Sequence, residues 1–164
     1  MTKLNKASVK WGWYQEGYDA EPTDKGKEHT SYIGHHNGPQ YFGYVAANPA
    51  ISVNLHGLND FFVDISQGKL GNEGGVFYLR GGFQNQAGLT PLNSNSTVQK
   101  NFQGNDDHPG YSDSQLSEAL VAREINAIAQ SPYWQHCAII ITYDESEVMR
   151  KHTPFLTKLV TTIR

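Results

Sequence analysis

Two adjacent acidic residues, Asp144 and Glu145, follow directly after a largely apolar run, Cys137 to Tyr143. The run has no polar alternation and is rich in β-branched residues, which is typical of a strand buried on both faces of a parallel sheet. The acids would then stand at the carboxyl end of that strand, where open α/β sheets bind ligands. Neighbouring carboxylates repel each other, so a partly dry site needs a cation or a proton to offset their charge. The pair suggests a metal site, although two solvated loop acids are the simpler interpretation of these residues alone.

A pair of histidines, His35 and His36, lies in the polar segment GHHNGPQYF. In an extended chain their rings point to opposite sides, so both can face one small ligand only if the chain turns. The sequence Asn37-Gly38-Pro39 favours such a turn. The alternative is a polar loop in which both histidines bond to the backbone, and for an isolated pair this alternative is favoured.

A third polar cluster, Asp106-Asp107-His108-Pro109, stands just before a predicted helix. The amino terminus of a helix favours an oxyanion, and a neighbouring aspartate could orient the histidine. The alternative is an acidic first turn that stabilises the same helix. Histidine and carboxylate clusters together are what metal-assisted phosphoryl or sulfuryl transfer requires, because the metal neutralises the leaving oxyanion and the histidines donate to nonbridging oxygens. Gly81-Gly82-Phe83 is not a phosphate-loop motif.

The elements that must position these clusters alternate between strands and helices. The pattern predicts strands at Val9–Gln15, Val76–Arg80 and Ala138–Tyr143 and helices at Leu58–Ser66 and Asp113–Gln130. Such an order indicates an α/β fold, a mostly parallel sheet with crossover helices.

The boundaries of these elements have their own sequence signals. Gly68 is a plausible stop for the first helix, and Ser112 with Gln115 fits a capping box for the second. The segment from Glu16 to Pro39 has no periodicity and is expected to be a long loop. The carboxyl-terminal segment is basic, and its apolar residues are compatible with one face of a short helix after Pro154; these are Phe155, Leu156, Leu159, Val160 and Ile163.

Composition limits the classes of function. With 164 residues, the chain is expected to form one domain. The net charge of −3 leaves no basic field for a phosphate backbone, so nucleic acid is not an expected partner. No apolar stretch approaches the ~20 residues of a transmembrane helix, and no secretion signal is recognisable, so the compartment stays open. The single cysteine, Cys137, is expected to be a small buried hydrophobe.

Six segments in order give the sequence a specific resemblance to a known family. They are WGWYQEGYD, HHNGPQYF, FFVDISQGKL, GGVFYLRGG, DDHPGYSDSQLSEALVAREINAIAQSPYW and AIIITYDES. From Val9 to Ser146 the chain resembles the phosphoesterase family of bacterial phospholipase C and related acid phosphatases. The resemblance implies a loop-rich, incomplete alkaline-phosphatase-like α/β sandwich and metal-dependent hydrolysis of phosphate esters, including phospholipid head groups. It also implies that Asp144 and Glu145 ligate the metal and that His35, His36 and His108 line the phosphate pocket.

The sequence departs from the family pattern in ways that affect the expected activity. Family members are longer, and their amino-terminal half carries a Glu-Asn metal pair and a Ser or Thr nucleophile. Residues 1–147 therefore resemble the carboxyl-terminal portion of such a domain, and residues 148–164 a divergent basic tail. Ser112, Ser114 and Thr142 lack a matching context, so no nucleophile is nominated and the chain alone is expected to be inactive.

The expected cofactor is a divalent metal, with calcium, magnesium or manganese favoured over zinc by the oxygen ligands. Because two carboxylates leave most of the coordination shell to water, we expect weak binding. Two alternatives to a hydrolase remain open: a noncatalytic phosphate- or metal-binding fragment, and one half of a split enzyme whose amino-terminal half is separately encoded.

Overall fold

A five-stranded mixed sheet organises the molecule. The computed structural model describes residues 1–18, 30–91 and 95–142, and the backbone alone of residues 158–163. The strands are β1 (Lys10–Gln15), β2 (Leu55–Gly57), β3 (Gly75–Arg80), β4 (Cys137–Thr142) and β5 (Lys158–Ile163). They lie in the order β2-β1-β3-β5-β4, with β1 parallel to β2 and β3, and β5 antiparallel to β3 and β4. Four strands thus run in one direction, and the predicted α/β fold with a mostly parallel sheet is confirmed.

The described helices precede β1 or lie between successive strands. They are α1 (Thr2–Lys6), α2 (Gly43–Ala46), α3 (Pro49–Ser52), α4 (Leu58–Ser66), α5 (Ser96–Asn101) and α6 (Ser114–Ala129). The two predicted helices correspond to α4 and α6. Gly68 has a φ of +66° just beyond the end of α4, so the predicted glycine stop is confirmed.

The predicted cap of α6 is displaced by one residue. The Asp113 carboxylate, rather than the Ser112 hydroxyl, accepts a hydrogen bond from the backbone N–H of Gln115 at 2.9 Å. The Ser112 hydroxyl instead donates to Asp106 at 2.5 Å. The capping-box pattern misassigned the cap because it carries no signal for a competing acceptor six residues earlier in the same loop.

Strand β1 is buried on both faces and separates two apolar clusters. Trp11 and Trp13 pack with Val45 and Leu55 on one side. On the other side Tyr14 joins a larger core with α4, β3 and α6, whose other buried members include Leu58, Phe61, Ile65, Leu70, Phe77, Leu79, Leu120, Ile128 and Tyr133. Alternation in the sequence predicted the aromatic face of β1 but not the burial of its other face.

Strand β4 is not buried on both faces, contrary to the sequence prediction. Cys137, Ile139 and Ile141 pack against the larger core, whereas Ile140 on the opposite face is 54% exposed. Cys137 is itself only partly buried. The strand lies at the edge of the sheet, and because isoleucine occupies both faces, the sequence carried no periodicity that could reveal it.

The predicted helix near the carboxyl terminus is wrong for residues 158–163, which form β5 between β3 and β4. The segment contains β-branched Val160, Thr161, Thr162 and Ile163, and hydrogen-bonding to a strand on each side overrides its helix-like apolar spacing. Phe155 and Leu156 lie outside the described residues. The short strand β2 had no distinct sequence signal. Within the described part of the chain, no helix has the length and apolarity to cross a membrane.

Candidate functional site

Polar residues gather at the edge of the sheet where the parallel strands end. Gln15 of β1 is in register with Arg80 of β3, so both strands finish at the same level. Across β5, Ile141 of β4 and Leu79 of β3 share the partner Leu159, so β4 also ends at this edge. The carboxyl edge of such a sheet is the usual ligand-binding side.

A tight turn brings His35 and His36 together. Residues Gly34–His36 form a 3-10 turn, and the two imidazole rings lie 4.3 Å apart between centroids at an angle of 73°. The fully buried Asn37 caps the next turn, Gly38–Tyr41. The Gln40 side chain donates to the Gly34 carbonyl at 2.9 Å and locks the two turns together. The predicted chain reversal therefore exists.

His108 joins this pair from a distant part of the chain. Its ring centroid lies 6.5 Å from that of His36. The backbone N–H of Gly110 donates to His108 Nδ1 at 3.1 Å, which leaves the neutral tautomer with its proton on Nε2. Tyr111 stacks on the His108 ring at 4.4 Å and 7°. The structure thus presents a fixed N–H donor at this position.

Asp106 is the carboxylate beside these histidines. Its side chain is fully buried and lies 3.3 Å from His36 Nδ1. That contact is close but poorly aligned for a hydrogen bond, so it acts as an ion pair when His36 is protonated. The Tyr111 and Ser112 hydroxyls both donate to Asp106, at 2.9 and 2.5 Å. The expectation that a neighbouring aspartate orients His108 is therefore wrong for Asp106, which faces His36.

Arg80 adds a positive charge to the cluster. The residue is 4% exposed at the end of β3. Desolvation lowers the pKa of His35, and the nearby positive charges of His36, Arg80 and His108 lower it further, while Asp106 opposes them. The three histidines and Arg80 therefore lie close enough to interact electrostatically. Such a group of side chains suits a bound anion.

A buried network of hydrogen bonds around Glu16 holds the loops that carry the histidine cluster. Glu16, at the end of β1, is 1% exposed. Its carboxylate accepts from the Ser31 hydroxyl, from Asn105 Nδ2 at 2.6 Å and from the Gln86 backbone N–H at 3.2 Å. Asn105 Oδ1 accepts from the Gly82 N–H at 2.9 Å, and Asn105 directly precedes Asp106. This network ties the end of β1 to the loop that carries Asp106 and His108.

The glycines after β3 are needed for this close packing. A Cβ atom at Gly81 would lie 2.5 Å from Asn105 Oδ1, and one at Gly82 would meet the Ser31 backbone oxygen. Gly81-Gly82 therefore allows the loops to approach each other closely.

Two further carboxyl groups have raised pKa values. Burial, with smaller effects from Asp106 and Glu118, raises the pKa of Asp107 to about 7. Asp107 also has a φ of 63°, in the left-handed region. Glu124 on α6 is 2% exposed, and burial raises its pKa to about 8. Both groups titrate near neutral pH.

The described residues do not by themselves form a metal site. Among them, no group of three or more His, Cys, Asp or Glu side chains is arranged to hold an ion. Glu16 and Asp106 are both committed to hydrogen-bond donors. The predicted ligands Asp144 and Glu145 lie outside the described residues, two and three positions beyond Thr142 at the end of β4.

The sequence interpretation missed two residues of the cluster, Arg80 and Glu16, and the partner of a third, Asp106. Arg80 had a usable signal, because it is a charged residue at the carboxyl end of a parallel strand. Asp106 was noticed, but its partner His36 is 70 residues away and could not be inferred from spacing. Glu16 had no signal, since its partners come from three separate loops.

The fold is an α/β fold, and three histidines and an arginine form a cluster at the carboxyl edge of its sheet. Comparison with family models is more specific: residues 1–155 match the phosphoesterase family. The chain therefore belongs to the phosphoesterase family, and the substrates this implies are phosphate esters. The match includes all six segments that carried the resemblance. No curated protein and no solved structure matched the chain.

Proposed function

We propose that this chain takes part in phosphate-ester hydrolysis of the phospholipase C or acid phosphatase type, in an alkaline-phosphatase-like fold, and that His35, His36 and His108 bind the phosphoryl group. The observation that carries the proposal is the meeting of these three side chains, from two distant loops, beside Arg80. A phosphoryl group is anionic and accepts hydrogen bonds, so it complements this set of donors and positive charges.

Each histidine has a distinct part in this proposal. His108 donates from Nε2, because its Nδ1 is occupied by the Gly110 N–H. His36 is held at the site beside the buried Asp106 carboxylate, which lies 3.3 Å from its Nδ1. Desolvation lowers the pKa of His35, with smaller effects from nearby residues that include Arg80, so its neutral ring offers an N–H donor while Arg80 supplies positive charge.

Calorimetric titration with phenyl phosphate tests this proposal. The variant combining His36→Ala and His108→Ala should bind at least about tenfold more weakly, which corresponds to ~1.4 kcal/mol. His136→Ala is the matched control, because His136 lies exposed in a separate turn before β4. Equal affinity in the histidine double variant and the control would overturn the proposed phosphoryl site.

The metal belongs to the proposal as well, with Asp144 and Glu145 as its ligands. They follow β4, which ends at the same sheet edge as β1 and β3. Two carboxylates favour calcium, magnesium or manganese, and an ion of this kind would supply charge neutralisation at the phosphoryl oxygens. We expect weak binding, lost in the double variant Asp144→Ala with Glu145→Ala. Tight calcium binding that survives this change would place the metal elsewhere.

The attacking group is proposed to come from a separately encoded amino-terminal half. The nearby hydroxyls of Ser31 and Ser112 donate to the Glu16 and Asp106 carboxylates. Ser31 is also fully buried, so it cannot approach a substrate without rearrangement. Because both hydroxyls are engaged by carboxylates, these contacts also favour a second candidate function, a noncatalytic phosphate-binding module.

Turnover assays separate these possibilities. A chromogenic phosphate monoester and a phosphocholine diester are each incubated with the chain, with and without added divalent metal. We expect no appreciable turnover by the chain alone, because the Ser31 and Ser112 hydroxyls are engaged by carboxylates and the attacking group is proposed to come from elsewhere. Robust hydrolysis that disappears in Asp144→Asn would show that the chain supplies its own attacking group. Hydrolysis that appears only on adding an amino-terminal half would exclude the purely noncatalytic function.

A further inference from the structure

A second cavity, distinct in composition from the histidine cluster, lies beside the loop that follows β3. Its volume is about 320 Å³, within the range of small-molecule sites. It is lined by Gln84, Asn85, Gln86, Gln99, Gln103 and Leu116. Five of these six side chains end in a neutral amide, and none carries a charge. Such a lining differs from the mostly apolar walls of ordinary ligand pockets.

Two of the amides present polar atoms that lack a protein partner. Gln86 Oε1 and Gln99 Nε2 are buried without a hydrogen bond to any part of the chain that the structure describes. One is an acceptor and the other a donor. A buried polar group left unpaired is costly, so these two atoms favour occupation by a molecule that can both donate and accept.

Hydrogen bonds anchor the backbone of the loop that lines part of the cavity. The Gln84 N–H donates to the Ser31 hydroxyl at 3.0 Å, and the Gln86 N–H donates to the buried Glu16 at 3.2 Å. The Asn85 side chain bonds both the N–H and the carbonyl of Leu89, at 2.7 and 2.8 Å. Gln99, which also lines the cavity, lies on α5, whose first turn is capped by Asn95. Backbone anchoring of this kind reduces the entropy lost when a ligand binds.

We propose that this cavity binds a neutral polyhydroxylated group, such as that of a sugar or polyol. Hydroxyl groups donate and accept at once, as amides do, so they can pair with both unpartnered atoms. An anion or a cation would find no counter-charge among the lining side chains. A purely apolar ligand would leave the amides unpaired, whereas Leu116 offers one apolar contact for the carbon skeleton of a polyol.

Side-chain amide NMR tests this binding directly, because each glutamine NH₂ group gives its own ¹⁵N–¹H signals. The chain is titrated in turn with glucose, myo-inositol and glycerol, with sodium sulfate and 1-propanol as charged and apolar controls. We expect saturable shifts of the Gln86 and Gln99 signals with at least one polyol and none with either control. A water-filled crevice only, with no saturable shift for any polyol, would overturn the proposal.

Substitutions of two lining residues test whether the polyol binds in this cavity. Gln99→Leu keeps the side-chain volume but removes the amide, and Gln86→Leu does the same in the loop that follows β3. Each variant should weaken polyol binding at least tenfold, as measured from the shifts of the remaining side-chain amide signals. Gln130→Leu, at an exposed position after α6, is the control and should bind normally. Unchanged affinity in both cavity variants would overturn the proposal, and circular dichroism verifies that each variant is folded.

Discussion

At the scale of single residues, the ionisation of buried carboxyl groups sets the electrostatics of the site. Asp106 and Glu16 are surrounded by hydrogen-bond donors. Glu124 is different, because its Oε1 has no hydrogen-bond partner among the described residues and burial raises its pKa to about 8. Donors therefore surround the Asp106 and Glu16 carboxylates, whereas the buried carboxyl group of Glu124 favours the neutral form.

Replacing Asp106 by asparagine should affect both stability and His36. The amide of the new side chain has one acceptor oxygen and cannot accept from both hydroxyl donors as the carboxylate does, so the free energy of unfolding should fall by ~1–3 kcal/mol. The negative charge beside His36 is also lost, so the ¹⁵N signals of that ring should move at constant pH, which a purely structural role would not require. Urea unfolding and histidine ¹⁵N spectra measure the two effects.

The adjacent substitution Asp107→Asn is the control for this variant. Burial already raises the pKa of Asp107 to about 7, so removing its charge should be neutral or stabilising above that pH. An unchanged His36 spectrum in Asp106→Asn, or equal destabilisation by both variants, would contradict the role given to Asp106.

Glu124 should make the stability of the protein depend on pH. Its pKa is raised from 4.5 in the unfolded chain to about 8 in the folded one, so the folded state holds an extra proton between these values. Stability therefore falls as pH rises through this window, by up to roughly 1.4 kcal/mol per pH unit from this group.

The variant Glu124→Gln removes this titration. Its free energy of unfolding should be less dependent on pH from 5 to 8, and it should be more stable than the parent at pH 8, as measured by urea denaturation across that range. Glu73→Gln, which removes an exposed glutamate from the loop before β3, is the control that leaves Glu124 in place. Identical pH profiles for the parent and Glu124→Gln would show that the carboxyl is solvated in the folded chain.

At the scale of elements, sequence periodicity predicted those helices and strands whose two faces differ. Helices α4 and α6 and strands β1 and β3 were found within a few residues of their bounds. The sequence predicted strand β4 but not that one of its faces is exposed. Isoleucine occupies both faces, at Ile139 and Ile141 on one and Ile140 on the other, so no alternation marked the difference. Strand β5 was missed because its pairing with β3 and β4 is a long-range interaction.

The cap of α6 provides a test at this scale. Asp113→Ala removes the acceptor for the Gln115 N–H and should cost ~1 kcal/mol of stability. Asp113→Asn retains a side-chain oxygen and should recover most of that loss. Thermal unfolding of both variants decides the matter, and an Asp113→Asn variant as unstable as Asp113→Ala would place the effect elsewhere.

The two faces of β4 provide another test. Ile139 packs against the larger core, whereas Ile140 is 54% exposed. Ile139→Ala should therefore destabilise the chain by roughly 1–3 kcal/mol, less than a fully buried site, and Ile140→Ala by less than about 0.5 kcal/mol. Chemical denaturation measures both. A larger loss at Ile140 would mean that this face is covered.

At the scale of the whole molecule, the sheet brings together residues that are distant in sequence. The resemblance indicated that His35, His36 and His108 share a pocket, and the structure places their rings in one cluster. Residue spacing alone could not have shown this, because it depends on the 3-10 turn at Gly34–His36 and on the Glu16 network beneath the loops. The metal ligands Asp144 and Glu145 stay a prediction.

The most direct test of the account is whether one phosphate ion contacts all three histidines. Long-range ¹⁵N–¹H spectra of the chain are recorded during titration with inorganic phosphate, at a constant pH and ionic strength. We expect the signals of His35, His36 and His108 to shift together with a single dissociation constant, while the signals of exposed His136 do not respond. Shifts at only one of the three, or an equal response at His136, would contradict the proposed phosphoryl site.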